Sequence, residues 1–273
     1  MIVQNAATGT REHFVITMDE HTAFAGQLAL AFGNARFEPV APKTLMLHVI
    51  HYHDAGWRAL DAQALRDPST GLPYNLVKTP FAHIVETSVA SPDFNSERHA
   101  FCGLLSSMHS WGLYNGRYGM SSKVLLNDLA AENRQVADGM LAGEVARQER
   151  LRAQLAANPE TAAWIEEAHL FQNYKQLQFF DTLALYFNCV PEGERAPSVF
   201  THVPLNERTD VEVQVTPIGS ASYAFDPFPF NEDGIEVTFT GRYLAPIASG
   251  HDVREALSRL PSRSQTVRLV AKH

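Results

Sequence analysis

The sequence is poor in cysteine and has no long apolar run. It holds two cysteines, Cys102 and Cys189, among 273 residues, too few for a disulfide framework or a cysteine-based zinc site. No apolar stretch reaches the roughly 20 residues that a transmembrane helix needs. The N-terminus also lacks the basic segment and apolar run of a secretory signal. We therefore expect a cytoplasmic protein that has no membrane segment.

Basic residues are scarce as well. The 22 lysines and arginines are outnumbered by 30 aspartates and glutamates, which gives a net charge of -8. Nucleic-acid binders normally present a basic face, so this balance argues against one. The expected partner is a small-molecule substrate, and a homo-oligomer is compatible with the sequence. The length suits one large domain, or one domain with a small appendage.

Hydrophobic periodicity predicts helices up to about residue 190 and strands after it. A short hairpin is expected first, with Ile2–Val3 and residues 14–17 on either side of a turn at Thr8-Gly9-Thr10. The predicted helices cover residues 20–32, 42–55, 79–90, 96–110, 126–157 and 160–188. Alternating patterns predict strands at 211–215, 235–240 and 265–271, with a short helix at 252–260. The expected fold is therefore mainly α, a helical bundle over residues 1–190 with a small β-rich appendage over residues 191–273.

An adjacent His53-Asp54 pair ends a helix that is apolar nearly all round. Imidazole and carboxylate side by side can serve one metal ion, and a carboxylate can bridge two. The pair alone is weak support, because His251-Asp252 also occurs in this chain. That second pair follows a glycine and precedes an exposed-looking helix.

Other predicted helices supply further candidate ligands. They carry His21, His83, His109 and Asp181. Asp181 is the strongest anomaly, because a carboxylate in the apolar stretch between Phe180 and Leu183 needs a cation or hydrogen-bond donors. No two of these residues are spaced i, i+4, so the site would be assembled from several helices at the centre of the bundle.

This order of residues on successive helices resembles the HD-domain superfamily. The spacing resembles its dinuclear members, in which two further histidines separate the His-Asp pair from the last aspartate. The likeness covers about residues 15–190. With a His-Asp-Ala-Gly-Trp motif at 53–57 and Asp-Pro-Phe-Pro-Phe at 226–230, nearly the whole chain looks like a bacterial HD-like family without an assigned function, domain of unknown function 3891.

The resemblance implies a role for each ligand. His21, His53 and Asp181 would hold one ion, and Asp54 would bridge to a second. That second ion would be held by His83 and His109. Imidazole and carboxylate suit iron, manganese or zinc, with iron favoured here. Two ions about 3.5–4 Å apart can share a hydroxide and bind a substrate oxygen, so His53 and Asp54 would be at the catalytic centre.

Ordinary structural explanations compete with ligation. His21 could face solvent from a first helical turn that Asp19 caps. His53 and His109 could each end a helix as a favourable partner for its dipole. His83 is the least secure candidate, since it could be a partly exposed helix residue, and without it the site would hold one metal.

Candidate substrate-binding residues flank the ligands in sequence. They are Trp57, Arg58, Tyr114, Tyr174, Lys175 and Gln178, and Arg117 is a further basic group. For the aromatic residues core packing is the main alternative, and for the basic ones a surface position. Many phosphate-cleaving HD proteins have a lysine just after His-Asp, where this chain has Trp57.

Three functions remain open from the sequence. The first is a metal-dependent hydrolase of a phosphoester that uses a bridging hydroxide. The second is a non-haem diiron oxygenase, since HD proteins such as myo-inositol oxygenase use the same ligand order around two irons. The third is a non-catalytic binding module that a metal stabilises.

Overall fold

The computed structural model describes residues 1–6 and 9–272. Its helices are α1 (Met18–Ala31), α2 (Lys43–Tyr52), α3 (Arg58–Gln63), α4 (Phe81–Arg98), α5 (Ala100–Tyr114), α6 (Ala131–Ala156), α7 (Glu167–Cys189) and α8 (Val253–Arg259). Its strands are β1 (Ile2–Val3), β2 (His13–Ile16), β3 (Ser198–Asn206), β4 (Thr209–Gly219), β5 (Ser222–Asp226), β6 (Gly234–Leu244) and β7 (Arg263–Ala271). Short 3-10 turns lie at Ala55–Trp57, Leu76–Lys78, Leu125–Asp128, Ala162–Ile165 and Glu192–Glu194.

The strands form one curled, half-barrel sheet, and the predicted fold class is wrong on this point. The order is β1-β2-β6-β7-β5-β4-β3, with β5 and β7 parallel and the other neighbours antiparallel. Helices make up 52% of the chain and strands 20%, so the sheet is a major element rather than a small appendage to a helical bundle. The predicted N-terminal pairing is confirmed, since Ile2 pairs with Ile16. Thr8 of its turn lies outside the described residues.

The extent of the sheet was underestimated for a local reason. Strands β3 and β5 were not predicted, because neither shows a long apolar–polar alternation. In β3 a register shift between Phe200 and Val203 interrupts the pairing, and such a bulge breaks the period of two. β5 is short, and three of its five residues are buried in succession. A strand buried on both faces cannot be told from a helical segment by periodicity alone.

One face of the sheet packs on α1 and α7. Phe24 of α1 meets Phe239 of β6 with ring centroids 5.1 Å apart. Phe187 of α7 meets Tyr223 of β5 at 4.8 Å. Aromatic pairs of this kind bury large areas and hold a fixed geometry. The sheet therefore fixes the relative position of two helices that carry candidate ligands.

Helix α5 lies at the centre of the helical part. Nearly all of its residues are buried, including His109, and it packs against α2, α4, α6 and α7. The predicted break at Ser91-Pro92 is wrong, because α4 continues through Pro92 to Arg98. The chain turns instead at His99, whose Nδ1 accepts a hydrogen bond from the backbone N–H of Phe101 and so caps α5.

Hydrogen bonds cross the predicted boundary at residue 190. Strand β2 pairs with β6, with Phe14 opposite Tyr243. The N-terminal hairpin therefore belongs to the same sheet as the C-terminal strands, although the division into two domains stays a prediction. Among the described residues, no helix combines the length and apolar character that crossing a membrane requires.

Candidate metal centre

His21 lies in the first turn of α1 and faces the interior. The helix begins at Met18, and its N-cap is Thr17, whose Oγ1 accepts a hydrogen bond from the backbone N–H of Glu20. Asp19, the expected cap, is therefore inside the helix. The His21 side chain is fully buried, so the solvent-facing explanation for this histidine does not apply.

His53 and Asp54 lie where α2 ends. His53 keeps helical backbone angles, whereas Asp54 leaves the helix with φ -110° and ψ 25°. Two side chains satisfy the carbonyl groups at this helix end. Nδ2 of Asn95 donates to the carbonyl of Tyr52 at 2.8 Å, and Oγ of Ser106 donates to that of His53 at 3.3 Å. Such contacts replace the hydrogen bonds that a helix terminus lacks and fix the His-Asp pair.

Gly56 allows this turn to sit against α4. A Cβ atom there would lie 2.4 Å from the carbonyl oxygen of Thr87 and 2.7 Å from the backbone nitrogen of Ser91, closer than any side chain tolerates. The Gly56 N–H donates to Oγ of Ser91 at 3.0 Å. The glycine that follows His-Asp-Ala is thus required by close backbone packing.

Five of the six predicted ligands come together. The Nε2 atom of His21 lies 3.2 Å, and that of His53 3.6 Å, from Oδ1 of Asp181. Asp54 is 3.6 Å from Nε2 of His53 through Oδ2 and 3.9 Å from Nε2 of His109 through Oδ1. Two overlapping groups result, His21 with His53 and Asp181, and His53 with Asp54 and His109. His53 belongs to both.

Hydrogen bonds fix the orientation of two of these rings. Nδ1–H of His21 donates to Oδ1 of Asn188 at 2.9 Å, and Nδ1–H of His53 donates to the carbonyl of Ile50 at 2.8 Å. Each ring therefore directs its Nε2 atom at Asp181. Nε2 of His53 is buried and has no hydrogen-bond partner. Metal-ligating histidines are usually held in this way, with the outer nitrogen donating to an oxygen.

The charges of this cluster are strongly coupled. Burial lowers the pKa of His53, but the carboxylates of Asp54 and Asp181 outweigh it and raise that pKa to about 9. Burial and the nearby His53 lower the pKa of His109 to about 4. Burial favours the protonated form of Asp181, yet the hydrogen bond from His21 and the proximity of His53 and His109 hold its pKa well below the usual range. The buried Asp181 carboxylate is therefore anionic and attracts positive charge to the centre.

Gln178 contacts the Nδ1 atom of His109, the ring nitrogen other than the one near Asp54. Its Nε2 lies 2.8 Å from Nδ1 of His109, while its buried Oε1 has no partner. With the Gln178 amide in this orientation, Nδ1 of His109 accepts a hydrogen bond from the amide NH2 group, and the proton of the neutral His109 ring is on Nε2. Rotation of the amide by 180° places Oε1 against Nδ1–H and leaves Nε2 free for ligation. Gln178 therefore sets the tautomer of His109.

The structure does not bring His83 to the cluster. His83 lies in the first turn of α4, half-buried, and its Nδ1 is 3.1 Å from Oε2 of Glu86. Among the described residues, neither ligand group includes it. The expectation of a second ion held by His83 and His109 therefore loses one of its ligands. The sequence pattern places His83 on a helix, but it does not give the rotation of that helix about its axis, which decides where the His83 side chain points.

The remaining five residues fit a metal ion by their chemistry. Nε2 of His21, Nε2 of His53 and Oδ1 of Asp181 face one another inside the protein. A buried polar atom whose lone pair has no donor or cation to bind is energetically costly. A neutral His53 with its proton on Nδ1 would set the Nε2 lone pair against an anionic oxygen. Either an added proton or a cation removes that conflict. Imidazole and carboxylate together suit zinc, manganese or iron.

Four of the predicted substrate-binding residues are engaged in core packing or surface pairing and do not line the cleft described below. The Trp57 side chain is buried, and Tyr114 packs in a separate apolar cluster with Leu126, Met140 and Leu141. Tyr174 is fully buried. Arg58 is about two-fifths exposed, pairs with Asp19 at 2.6 Å and stacks over the rings of Tyr52 and Phe94. Core packing and surface pairing are thus the roles that the structure gives them.

Lys175 and Gln178 line a cleft of about 250 Å³ beside the centre. Arg117 lines it too, and its Nη2 lies 3.5 Å from Oδ2 of Asp181. The sequence favoured a surface position for Arg117 and did not single out Asn188 at all. One sequence feature could have drawn attention to Arg117. Gly116 and Gly119 lie on either side of it, and glycines mark unusual backbone conformations.

The chain belongs to a family described as a protein of unknown function, DUF3891, whose model matches residues 1–246. No curated protein and no solved structure gives a significant match.

Proposed function

We propose that this protein is a metal-dependent hydrolase of the HD-domain type that cleaves a small phosphoester. The convergence of two buried histidines on Asp181 carries the proposal. Nε2 of His21 and Nε2 of His53 lie 3.2 and 3.6 Å from the same carboxylate oxygen. The resemblance to HD proteins supports it, because His, His-Asp and Asp in this order are the ligands of their metal.

The residues that would hold one ion are His21, His53, Asp54 and Asp181. An ion there would supply Lewis acidity, lower the pKa of water in the site to about 7 and neutralise charge on the substrate. Because His83 lies outside the cluster, one ion per chain is the proposed stoichiometry. Iron, manganese and zinc all suit these ligands.

Asp54 is placed to move a proton. It is the more accessible of the two carboxylates in the cluster, with 15% of its side chain accessible, whereas Asp181 shows 5%. As water attacks phosphorus and the P–O ester bond breaks, an Asp54 oxygen takes the water's proton and passes it to the leaving oxygen. His109 is neutral at pH 7, given its pKa of about 4, so its Nε2–H donates a hydrogen bond to a reacting oxygen rather than a proton.

The diiron oxygenase is the second candidate. In the HD oxygenases that the sequence resembles, six residues surround two irons, and the histidine at the position of His83 is one of them. Here His83 pairs with Glu86 instead. This placement favours the hydrolase over the oxygenase. A binding module with a structural metal would need no carboxylate within reach of solvent, so the partly accessible Asp54 favours an enzyme.

Metal analysis and a hydrolysis assay test the proposal together. The full chain, purified without oxygen, is expected to hold about one ion and to hydrolyse bis(p-nitrophenyl) phosphate or p-nitrophenyl phosphate with Mn²⁺. Asp54→Asn should abolish turnover and Asp181→Asn should abolish metal binding, whereas His83→Ala should change neither. Iron at two ions per chain together with substrate-dependent O2 uptake would contradict the hydrolase. Metal without turnover of any phosphoester would favour the binding module.

A further inference from the structure

The segment Gly116–Gly119, between α5 and α6, is a single turn of left-handed helix. Its four residues all have positive φ, at 64°, 51°, 56° and 87°. The two inner residues, Arg117 and Tyr118, have ψ of 48° and 38°. L-residues other than glycine avoid this region, and they adopt it as single residues rather than in succession. Such conformations persist where the surroundings enforce them, and they concentrate at functional sites.

Packing of Tyr118 enforces the turn. Its ring lies among Trp111, Phe171 and Tyr174, with centroid distances of 4.7, 5.4 and 5.1 Å. Its hydroxyl group donates to Oε1 of Gln148 at 3.2 Å. The backbone N–H of Ser121 closes the turn by donating to the carbonyl of Gly116 at 3.0 Å. With Tyr118 held inward, the neighbouring Arg117 is directed at the candidate metal centre.

Arg117 joins that centre to the cleft. Its guanidinium group is 3.5 Å from Oδ2 of Asp181, yet a fifth of its side chain remains exposed and lines the cleft. Gln178 on α7 does the same, since it contacts His109 and lines the cleft. The cleft therefore reaches the candidate metal centre through Arg117 and Gln178, and the five clustered ligands are not among its lining residues.

The far wall of the cleft is built by β3 and carries a second irregularity. His202 has a φ of 57° and lies in the register shift between Phe200 and Val203. A bulge turns a side chain out of the regular alternation of a strand. His202 lines the cleft, as does Lys175 on α7, and both face Asp210, at 3.9 and 2.6 Å respectively. Besides Arg117, the cleft lining thus includes Lys175 and His202, which share the Asp210 carboxylate.

Part of the cleft lining is apolar. Phe179 and Phe200 line it, with ring centroids 5.8 Å apart, together with Met120. The cleft volume of about 250 Å³ lies just below the range of about 300–1,000 Å³ that is usual for sites of drug-sized ligands. The cleft thus suits a small metabolite, with both apolar and basic side chains in its lining.

We propose that the cleft between α7 and β3 binds a small organic anion, with one phosphate or carboxylate group on Arg117 beside the metal centre. The carbon part lies against Phe179 and Phe200, and a second polar group reaches Lys175 and His202. Arg117 is well suited to this, since its planar guanidinium group binds oxyanions through two parallel hydrogen bonds. As a statement about the substrate, the inference rests on the proposed hydrolase function. Arg117 would supply the cation that the buried Trp57 does not.

Binding of two non-hydrolysable probes tests the site. Phenylphosphonate and benzoate are titrated by calorimetry against the full chain, both free of metal and with Mn²⁺. Arg117→Asn removes the guanidinium group while asparagine tolerates the left-handed conformation. We expect this variant to bind phenylphosphonate about 10- to 100-fold more weakly. Arg150→Gln changes an exposed arginine on α6 and should leave binding unchanged. A preference for either probe identifies the acid group.

Two further variants separate folding from binding. Arg117→Lys keeps the charge without the planar fork and should bind at an intermediate level. His202→Gly relieves the positive φ, so it should fold and yet weaken binding of a probe with a second polar end, such as 4-carboxyphenylphosphonate. Circular dichroism and metal content are measured for each.

The outcomes separate this inference from the proposed function. If Arg117→Asn and the parent chain bind the probes equally, or the parent chain binds neither, the inference is overturned whatever the metal content. If the chain takes up no metal but binds phenylphosphonate in an Arg117-dependent way, the anion site stands and the metal-dependent hydrolase falls.

Discussion

Nε2 of His53 lies 3.6 Å from Oδ1 of Asp181, and no hydrogen-bond donor or acceptor satisfies that nitrogen. The outer nitrogen of the ring is already bound to the carbonyl of Ile50. A buried nitrogen that faces a carboxylate must hold either a proton or a metal ion. The competition between the two determines how the centre responds to pH.

Metal affinity is expected to rise with pH. In the metal-free protein His53 is protonated below its pKa of about 9, and a metal must displace that proton. Affinity for Mn²⁺ or Zn²⁺ should therefore increase about tenfold per pH unit from pH 6.5 and level off near pH 9. Calorimetry in buffers of different ionisation enthalpy would also detect about one proton released per ion. An affinity that does not change over this range would show that His53 is not a ligand.

The stability of the metal-free protein is expected to be highest near pH 6.5. His53 has a folded pKa of about 9, above its ordinary 6.5, so its contribution is present below pH 6.5 and is lost as pH rises through 9. His109 has a folded pKa of about 4, so its contribution is present above pH 6.5 and is lost as pH falls toward 4. Thermal unfolding with EDTA at pH 5, 6.5 and 8.5 measures the loss of stability on both the acid and the alkaline side. Added metal should remove the alkaline decline, because it replaces the His53 proton.

Asn188 is expected to support metal binding through His21. Its Oδ1 accepts the Nδ1–H of His21 at 2.9 Å. Asn188→Leu removes that acceptor and should weaken metal binding by about 10- to 100-fold, the usual effect of losing such a partner. Asn188→Asp keeps an acceptor and should bind metal well. Equal affinity in the leucine variant and the parent would mean that His21 needs no support or is not a ligand.

Gly56 should not tolerate a side chain. A Cβ atom would lie 2.4 Å from the Thr87 carbonyl, so Gly56→Ala must push α4 away and should lower the free energy of unfolding by about 1–3 kcal/mol. Gly139→Ala is the matched control, since nothing lies within 4 Å of its Cβ on α6. That change should stabilise the protein by about 0.5–1 kcal/mol. Urea unfolding of both variants measures the difference, and metal content should fall only in Gly56→Ala.

The proposed role of Arg117 in substrate binding can also be tested by enzyme kinetics. If its guanidinium group binds the substrate next to the centre, Arg117→Asn should lower kcat/KM for a phosphoester about 10- to 100-fold. Metal content should stay at the parent level, because Arg117 is not a ligand. Loss of metal and activity together would instead assign Arg117 a structural role beside Asp181.

Several features could be predicted from residues alone, because local chemistry demands them. Asp181 lies in an apolar stretch of a helix and needs a partner, which the structure provides in two histidines. His53-Asp54 follows an apolar helix and precedes a glycine. The second pair, His251-Asp252, has an ordinary role, since the Asp252 side chain accepts from the backbone N–H groups of Arg254 and Glu255 and caps α8.

The tertiary structure alone decided the rest. The sheet joins β2 to β6 and β5 to β7, pairings between segments that are distant in sequence, and periodicity within a segment holds no information about its partner. The rotation of α4 leaves His83 outside the candidate metal centre, paired with Glu86 on its own helix, and the left-handed turn directs Arg117 toward Asp181. Spacing along the chain predicts which helix carries a side chain, but only packing determines where that side chain points, because the direction depends on every neighbouring element.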